Sequence, residues 1–170
     1  LSLFNMPKVT IAKVSGVAVG AGMNLALCCD LVVASEDARF SEIFAKRGLS
    51  VDFGGSFLLP RIVGLQKAKE LVLLADIISA SEANRMGLTN YVVSQDQLDE
   101  KVLELAQKAA SGPPRALAMS KAMLNKSFSN SIQDALDQEG TSQTVSFTTK
   151  DVSEAMKAFQ EKRSPRFNGW

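Results

Sequence analysis

The chain contains no histidine, and that absence removes whole classes of mechanism. Serine–histidine and cysteine–histidine nucleophiles cannot be assembled from its own residues, and histidine-based zinc sites are excluded as well. Its two cysteines, Cys28 and Cys29, are adjacent. They read as small buried hydrophobes, and with no disulfide implied the expected compartment is a reducing one. Charge of one sign is also lacking: 19 basic and 18 acidic residues leave a formal net charge of +1. A nucleic-acid footprint needs a concentrated basic face, and this balance argues against one. No apolar run reaches the roughly 18 residues of a membrane span, and no signal-peptide pattern opens the chain. The expectation is a cytoplasmic protein, or a mitochondrial-matrix one in a eukaryote, with no membrane or nucleic-acid partner. The chain opens on Leu1, in the middle of a pattern, so a fragment is expected.

What is present is enough for a folded core. The 170 residues are 46% apolar and 22% charged, ordinary values for one globular domain. Val9–Val14 and Val17–Val19 read as strands on either side of a Ser15-Gly16 turn, rich in β-branched residues. The apolar run 21–29 predicts a short buried helix, and Leu31–Ala34 a third strand before a turn at 35–38. Residues 56–63 look helical, with Pro60 limiting them to short turns. Leu65–Leu74 predicts a helix, and another runs over 81–86, capped by Ser81 and ended at Gly87. Tyr91–Val93 closes the mixed part. From Asp96 the pattern turns helical: Leu98, Val102, Leu105 and Ala109 recur at helical spacing until Gly112-Pro113-Pro114. Helices are expected over 114–126, 131–148 and 151–162. The organisation expected is an α/β core over 1–95 and a helical extension over 96–170.

Two stretches carry chemistry. Gly16 to Asp30 takes a buried strand through Gly20-Ala21-Gly22 into a short helix. Such a turn lets the backbone approach a ligand and offers free N–H groups to a negatively charged oxygen. Val51-Asp52-Phe53-Gly54-Gly55 sets one carboxylate between apolar residues and glycines. Together they suggest an enolate-stabilising site with Asp52 as its single base, its acidity weakened by burial between Val51 and Phe53. Asp52 equally suits a cap on the following helix or a fixer of the Gly54-Gly55 turn. A dinucleotide-binding reading of Gly20-x-Gly22 fails because Leu25 stands where a third glycine is required.

Four blocks resemble the crotonase (enoyl-CoA hydratase/isomerase) superfamily: 7–16, the Gly20–Asp30 turn and helix, Phe40 through Pro60-Arg61, and Ala158–Arg163, with Ala75–Ala83 running on to Gly87-Leu88. The resemblance implies an α/β fold, a ββα superhelical core whose N-terminal portion is missing, followed by a helical trimerisation region. It implies an acyl-CoA substrate, no separate cofactor since coenzyme A belongs to the substrate, no metal, and a homotrimer or dimer of trimers. One oxyanion amide falls on Ala21, between Gly20 and Gly22. The other belongs to the missing portion, so these residues alone are expected to catalyse poorly, one lost donor costing roughly 3 kcal/mol.

The two water-activating glutamates of family hydratases fall on Asn24 and Phe44. Neither transfers protons. Glu42 could substitute only through a shift of loop register. Asp52 falls where family isomerases carry a catalytic aspartate, and Phe159 and Lys162 match coenzyme A contacts. The resemblance therefore implies double-bond isomerisation, with substrate-binding positions at Gly20, Gly22, Asn24, Phe44, Gly54, Phe159 and Lys162. The alternatives are a hydratase with atypical residues and a catalytically silent acyl-CoA-binding member.

Overall fold

A computed structural model describes residues 1–170. The chain divides into two compact units, Thr10–Leu105 and the pairing of Leu1–Val9 with Ala106–Trp170. The first unit contains six short strands and the helices between them. In order these are β1 (Ile11–Val14), β2 (Val17–Val19), α1 (Ala21–Leu27), β3 (Leu31–Ser35) and β4 (Arg39–Ser41), followed by a 3₁₀ turn over Ile43–Arg47. Then come α2 (Gly55–Val63), α3 (Leu65–Leu74), β5 (Ile78–Ser79), α4 (Ala80–Arg85), β6 (Tyr91–Val93) and the start of α5 (Leu98–Ala110).

Two three-stranded sheets result. In one, β3 lies between β1 and β6, all parallel, with Ile11 opposite Leu31 and Val33 opposite Tyr91. In the other, β4 lies between parallel β2 and antiparallel β5. Val32, Val33 and Ala34 of β3 are all buried, as a parallel strand covered on both faces requires. Gly16, at φ 80°, supplies the left-handed turn that carries the chain from β1 into β2 and so from one sheet to the other.

Four details depart from the expected layout. Strands β4 and β5 and the 3₁₀ turn were not anticipated. Arg39–Ser41 is only three residues long and begins with a charge, and its strand character comes from pairing with β2. Helix α2 runs unbroken through Pro60, because burial of Leu58 and Leu59 outweighs the single backbone bond that proline removes. Helix α4 is capped by Ser79, not Ser81: Ser79 Oγ accepts from the Glu82 N–H at 3.2 Å, and Glu82 Oε2 accepts from the Ser79 N–H at 2.9 Å. This reciprocal capping box satisfies two end donors at once. Finally, where a core over 1–95 was expected, the first unit runs from Thr10 to Leu105 and Leu1–Val9 groups with the second; Leu98 and Leu105 bury themselves against Val33 together with Ile11, Val93 and Val102.

The second unit contains α6 (Pro114–Lys126), α7 (Ile132–Phe147) and α8 (Lys150–Gln160), close to the expected ranges. Ser131 and Asp134 form a second capping box at the start of α7. The C-terminal tail folds back on the start of α8, where buried Asp151 accepts from the N–H of Asn168 at 2.8 Å and of Gly169 at 2.9 Å. Asp151→Ala strands both donors and is expected to cost about 2–4 kcal/mol, read by chemical denaturation of the full-length protein.

Candidate active site

The glycine turn between β2 and α1 is shaped by a close approach. Gly20 takes φ 53° and ψ −124°, a region side-chain-bearing residues avoid. A Cβ there would stand 3.3 Å from the Phe44 ring and 3.4 Å from Ile43. Its N–H donates to the Ser41 carbonyl at 2.8 Å, tying the turn to the end of β4. Ala21 opens α1, and both Ala21 and Gly22 are exposed. Their N–H groups, in the first helical turn, have no acceptor within the helix. Phe44 is buried and backs the turn as a wall behind Gly20.

Asn24 ties this turn to the next loop. It lies at the middle of α1 and is wholly buried. Its amide Nδ2 donates to the Asp52 main-chain carbonyl at 3.1 Å and to Glu42 Oε2 at 3.3 Å. The Asp52 carbonyl also accepts from the Gly55 N–H at 3.0 Å. Asp52 itself is exposed, with Phe53 beside it at 54% exposure, so the expected burial between Val51 and Phe53 is corrected. Phe53 at φ 52° and Gly54 at φ 84° are successive left-handed residues. This twist accompanies a loop whose Asp52 carbonyl is bonded inward while its carboxyl stays exposed. Helix α2 is capped by Gly54 with no side-chain bond, which removes the capping role for Asp52.

Glu42 is the buried acid of this cluster. It follows β4 directly, is fully buried, and meets the Asn24 amide. Burial pushes its carboxyl up to about 7; the Asn24 hydrogen bond opposes this, and the nearby Asp52 charge adds to it. Glu42 Oε1 and Asn24 Oδ1 have no hydrogen-bond partner. The available signal was the setting of Glu42, one acid inside the otherwise uncharged Phe40–Ala45 stretch.

The first unit thus gathers Gly20, Ala21, Gly22, Asn24, Phe44, Asp52 and Gly54. Phe159 and Lys162 belong to the second unit. Phe159 is 83% exposed at the end of α8, and Lys162 follows it in a left-handed conformation, φ 53°.

Two stability outcomes follow from this packing, both measured on the full-length protein. A Cβ at Gly55 would lie 2.5 Å from Asn24 Nδ2 and 2.7 Å from Val51 Cγ2, so Gly55→Ala is expected to cost about 1–3 kcal/mol in urea unfolding. Glu42 holds its proton more tightly folded than unfolded, since folding raises it from 4.5 to about 7. Stability is therefore expected to fall as pH rises through that window, by on the order of 3 kcal/mol when complete. Unfolding at several pH values should show the slope in the native sequence and its loss in Glu42→Gln.

Comparison with known proteins agrees with this architecture. The family described as enoyl-CoA hydratase/isomerase matches residues 1–169. Among curated relatives, a crotonyl-CoA hydratase of Syntrophomonas wolfei is 40% identical over 162 residues, covering 95% of this chain and 62% of the relative. A 1,2-epoxyphenylacetyl-CoA isomerase of Escherichia coli is 38% identical over 167 residues, covering 98% of this chain and 64% of the relative. An enoyl-CoA hydratase structure from Bacillus anthracis superposes with a TM-score of 0.95 at 34% identity, covering 99% of this chain and 65% of that one. The chain spans less than two thirds of the length of these relatives. Its fold is the crotonase fold, in part, and the chain belongs to the enoyl-CoA hydratase/isomerase family.

Proposed function

We propose that the full-length protein acts on an acyl-CoA thioester and moves a carbon–carbon double bond, with Asp52 as proton carrier. The observation that carries this reading is the state of Asp52: an exposed carboxylate on a backbone clamped by Asn24 and Gly55 and released from any capping duty. A mobile proton needs an accessible acid on a fixed support. The Asp52 carboxylate takes a proton from the α-carbon of the thioester. The negative charge moves to the thioester oxygen, where the Ala21 N–H and the positive end of α1 stabilise it. The proton then returns from Asp52 to the γ-carbon, and the double bond has shifted with no net gain or loss of atoms.

The hydratase glutamate positions support the same choice, since Asn24 and Phe44 cannot activate water. Phe159 and Lys162 are assigned to the coenzyme A moiety, Lys162 as a point charge for phosphate. A homotrimer, or a dimer of trimers, is proposed as the assembly. Leu124 and Ile132, 71% and 78% exposed beside the α6–α7 connection, suit burial against another subunit. Coenzyme A enters as part of the substrate, and no separate cofactor is proposed.

A second reading rests on Glu42. A buried acid beside Asn24 gives water addition a candidate carboxyl, and a crotonyl-CoA hydratase and an isomerase both appear among the relatives. The full-length protein tested with a 3-enoyl-CoA and a 2-enoyl-CoA side by side separates the two. Isomerisation without hydration is expected, reduced about 10²–10⁴-fold in Asp52→Asn. Hydration that survives that substitution overturns the isomerase reading in favour of Glu42.

A further inference from the structure

Asn24 has two amide protons and one amide oxygen. Its Nδ2 donates to the Asp52 carbonyl and to Glu42 Oε2. The remaining oxygens of this buried cluster, Asn24 Oδ1 and Glu42 Oε1, are two acceptors with nothing to accept. One added proton resolves both. A neutral Glu42 becomes an O–H donor, and the amide that already donates to Glu42 offers the one acceptor that lacks a donor.

We propose that Glu42 works as a neutral acid, paired with the Asn24 amide, and that this pair positions Asp52 for proton transfer. Glu42 is a positioning residue in this account, since its carboxyl reaches the Asp52 backbone only through the Asn24 amide. The inference rests on the reading of Asp52 as proton carrier. Its mechanical link is short: Asn24 holds the Asp52 carbonyl at 3.1 Å, and its amide lies so close to Gly55 that no methyl group fits between them. With the amide fixed at both edges, the Asp52 backbone is fixed too.

Electrostatics favours the same state. Burial and the Asp52 charge both act against ionised Glu42, and its carboxyl titrates at about 7. Asp52 is the charged group acting on it. Helix α1 presents only the neutral Asn24, and Lys46 of the 3₁₀ turn is paired with exposed Asp76 at 3.3 Å. Ionisation of Glu42 removes its O–H donor to the Asn24 oxygen and adds a second negative charge behind the proton carrier. Activity is therefore present below about pH 7 and lost above it.

The test uses the full-length protein and the 3-enoyl-CoA isomerisation, followed from pH 5.5 to 8.5. In the native sequence kcat is expected to fall roughly tenfold per pH unit above about 7, as for one ionisation. Glu42→Ala should lower kcat more than KM, by roughly tenfold or more on the acid side. Glu42→Gln should rescue that loss and abolish the fall near pH 7, because its amide replaces the O–H donor and cannot ionise. A Gln variant that keeps the alkaline fall, or fails to rescue, overturns the proposal. Should Glu42→Ala not fold, the pH profile of Glu42→Gln decides alone. Carboxyl ¹³C and side-chain amide ¹⁵N resonances give a readout free of turnover: Glu42 and the Asn24 amide should shift together near pH 7. An unresponsive Asn24 amide with an inactive Asp52→Asn overturns this inference and leaves the Asp52 reading standing. A responsive amide with an active Asp52→Asn sinks the Asp52 reading, and the positioning role with it.

Discussion

Asn24 lies at the one point where three separate stretches of the first unit meet. It belongs to α1, its amide reaches Glu42 just after β4, and the same nitrogen reaches the Asp52 carbonyl just before α2. A buried amide cannot leave its hydrogen bonds unmade without a penalty of about 1–3 kcal/mol. Helix, strand end and loop are therefore held to one another by a group that has no cheaper alternative. An apolar residue there would fill the space and fix none of the three. A carboxylate there would set a charge against Glu42.

The glycines around this cluster are conditions of that arrangement. Gly20 lets the chain turn tightly enough for Phe44 to pack behind the start of α1, and Gly55 leaves room for the Asn24 amide itself. Phe53 takes a left-handed conformation with a full side chain, 54% exposed. Such a residue costs on the order of 1–3 kcal/mol, and it persists because the Asp52 carbonyl on one side is bonded twice. Strain and restraint thus sit in adjacent residues, which is a usual arrangement where a loop must present one side chain.

The second unit is built differently. Its helices α6 and α7 carry large apolar side chains in solvent, and its order comes from end caps, from the Asp151 clasp on the tail and from contacts such as Asn125 Nδ2 with the Phe4 carbonyl at 2.9 Å. A helical hairpin with apolar residues outward has more surface to bury than its own unit provides. Local hydrogen bonding defines the helices.

Much of this was legible in the residues. Helical spacing, β-branched runs and the Gly20-Ala21-Gly22 turn are local signals, and they located the helices from α3 onward and strands β1, β2, β3 and β6 within a residue or two. The absence of histidine excluded mechanisms outright. Other features depend on partners distant in sequence, which no local pattern records. Strand β4 exists because β2 and β5 lie beside it. Ser79 caps α4 in place of Ser81 because the chain leaves β5 extended at that residue. Pro60 stays helical because Leu58 and Leu59 have a core to enter. Above all, Asp52 proved exposed, the reverse of what its apolar neighbours suggested, and the one buried acid beside it proved to be Glu42. Sequence alone determined which chemical groups this chain possesses and the period of its elements. Tertiary packing alone decided which carboxyl meets solvent and which is held in the dark beside an amide, because burial is a property of the neighbours that folding brings and not of the residue itself.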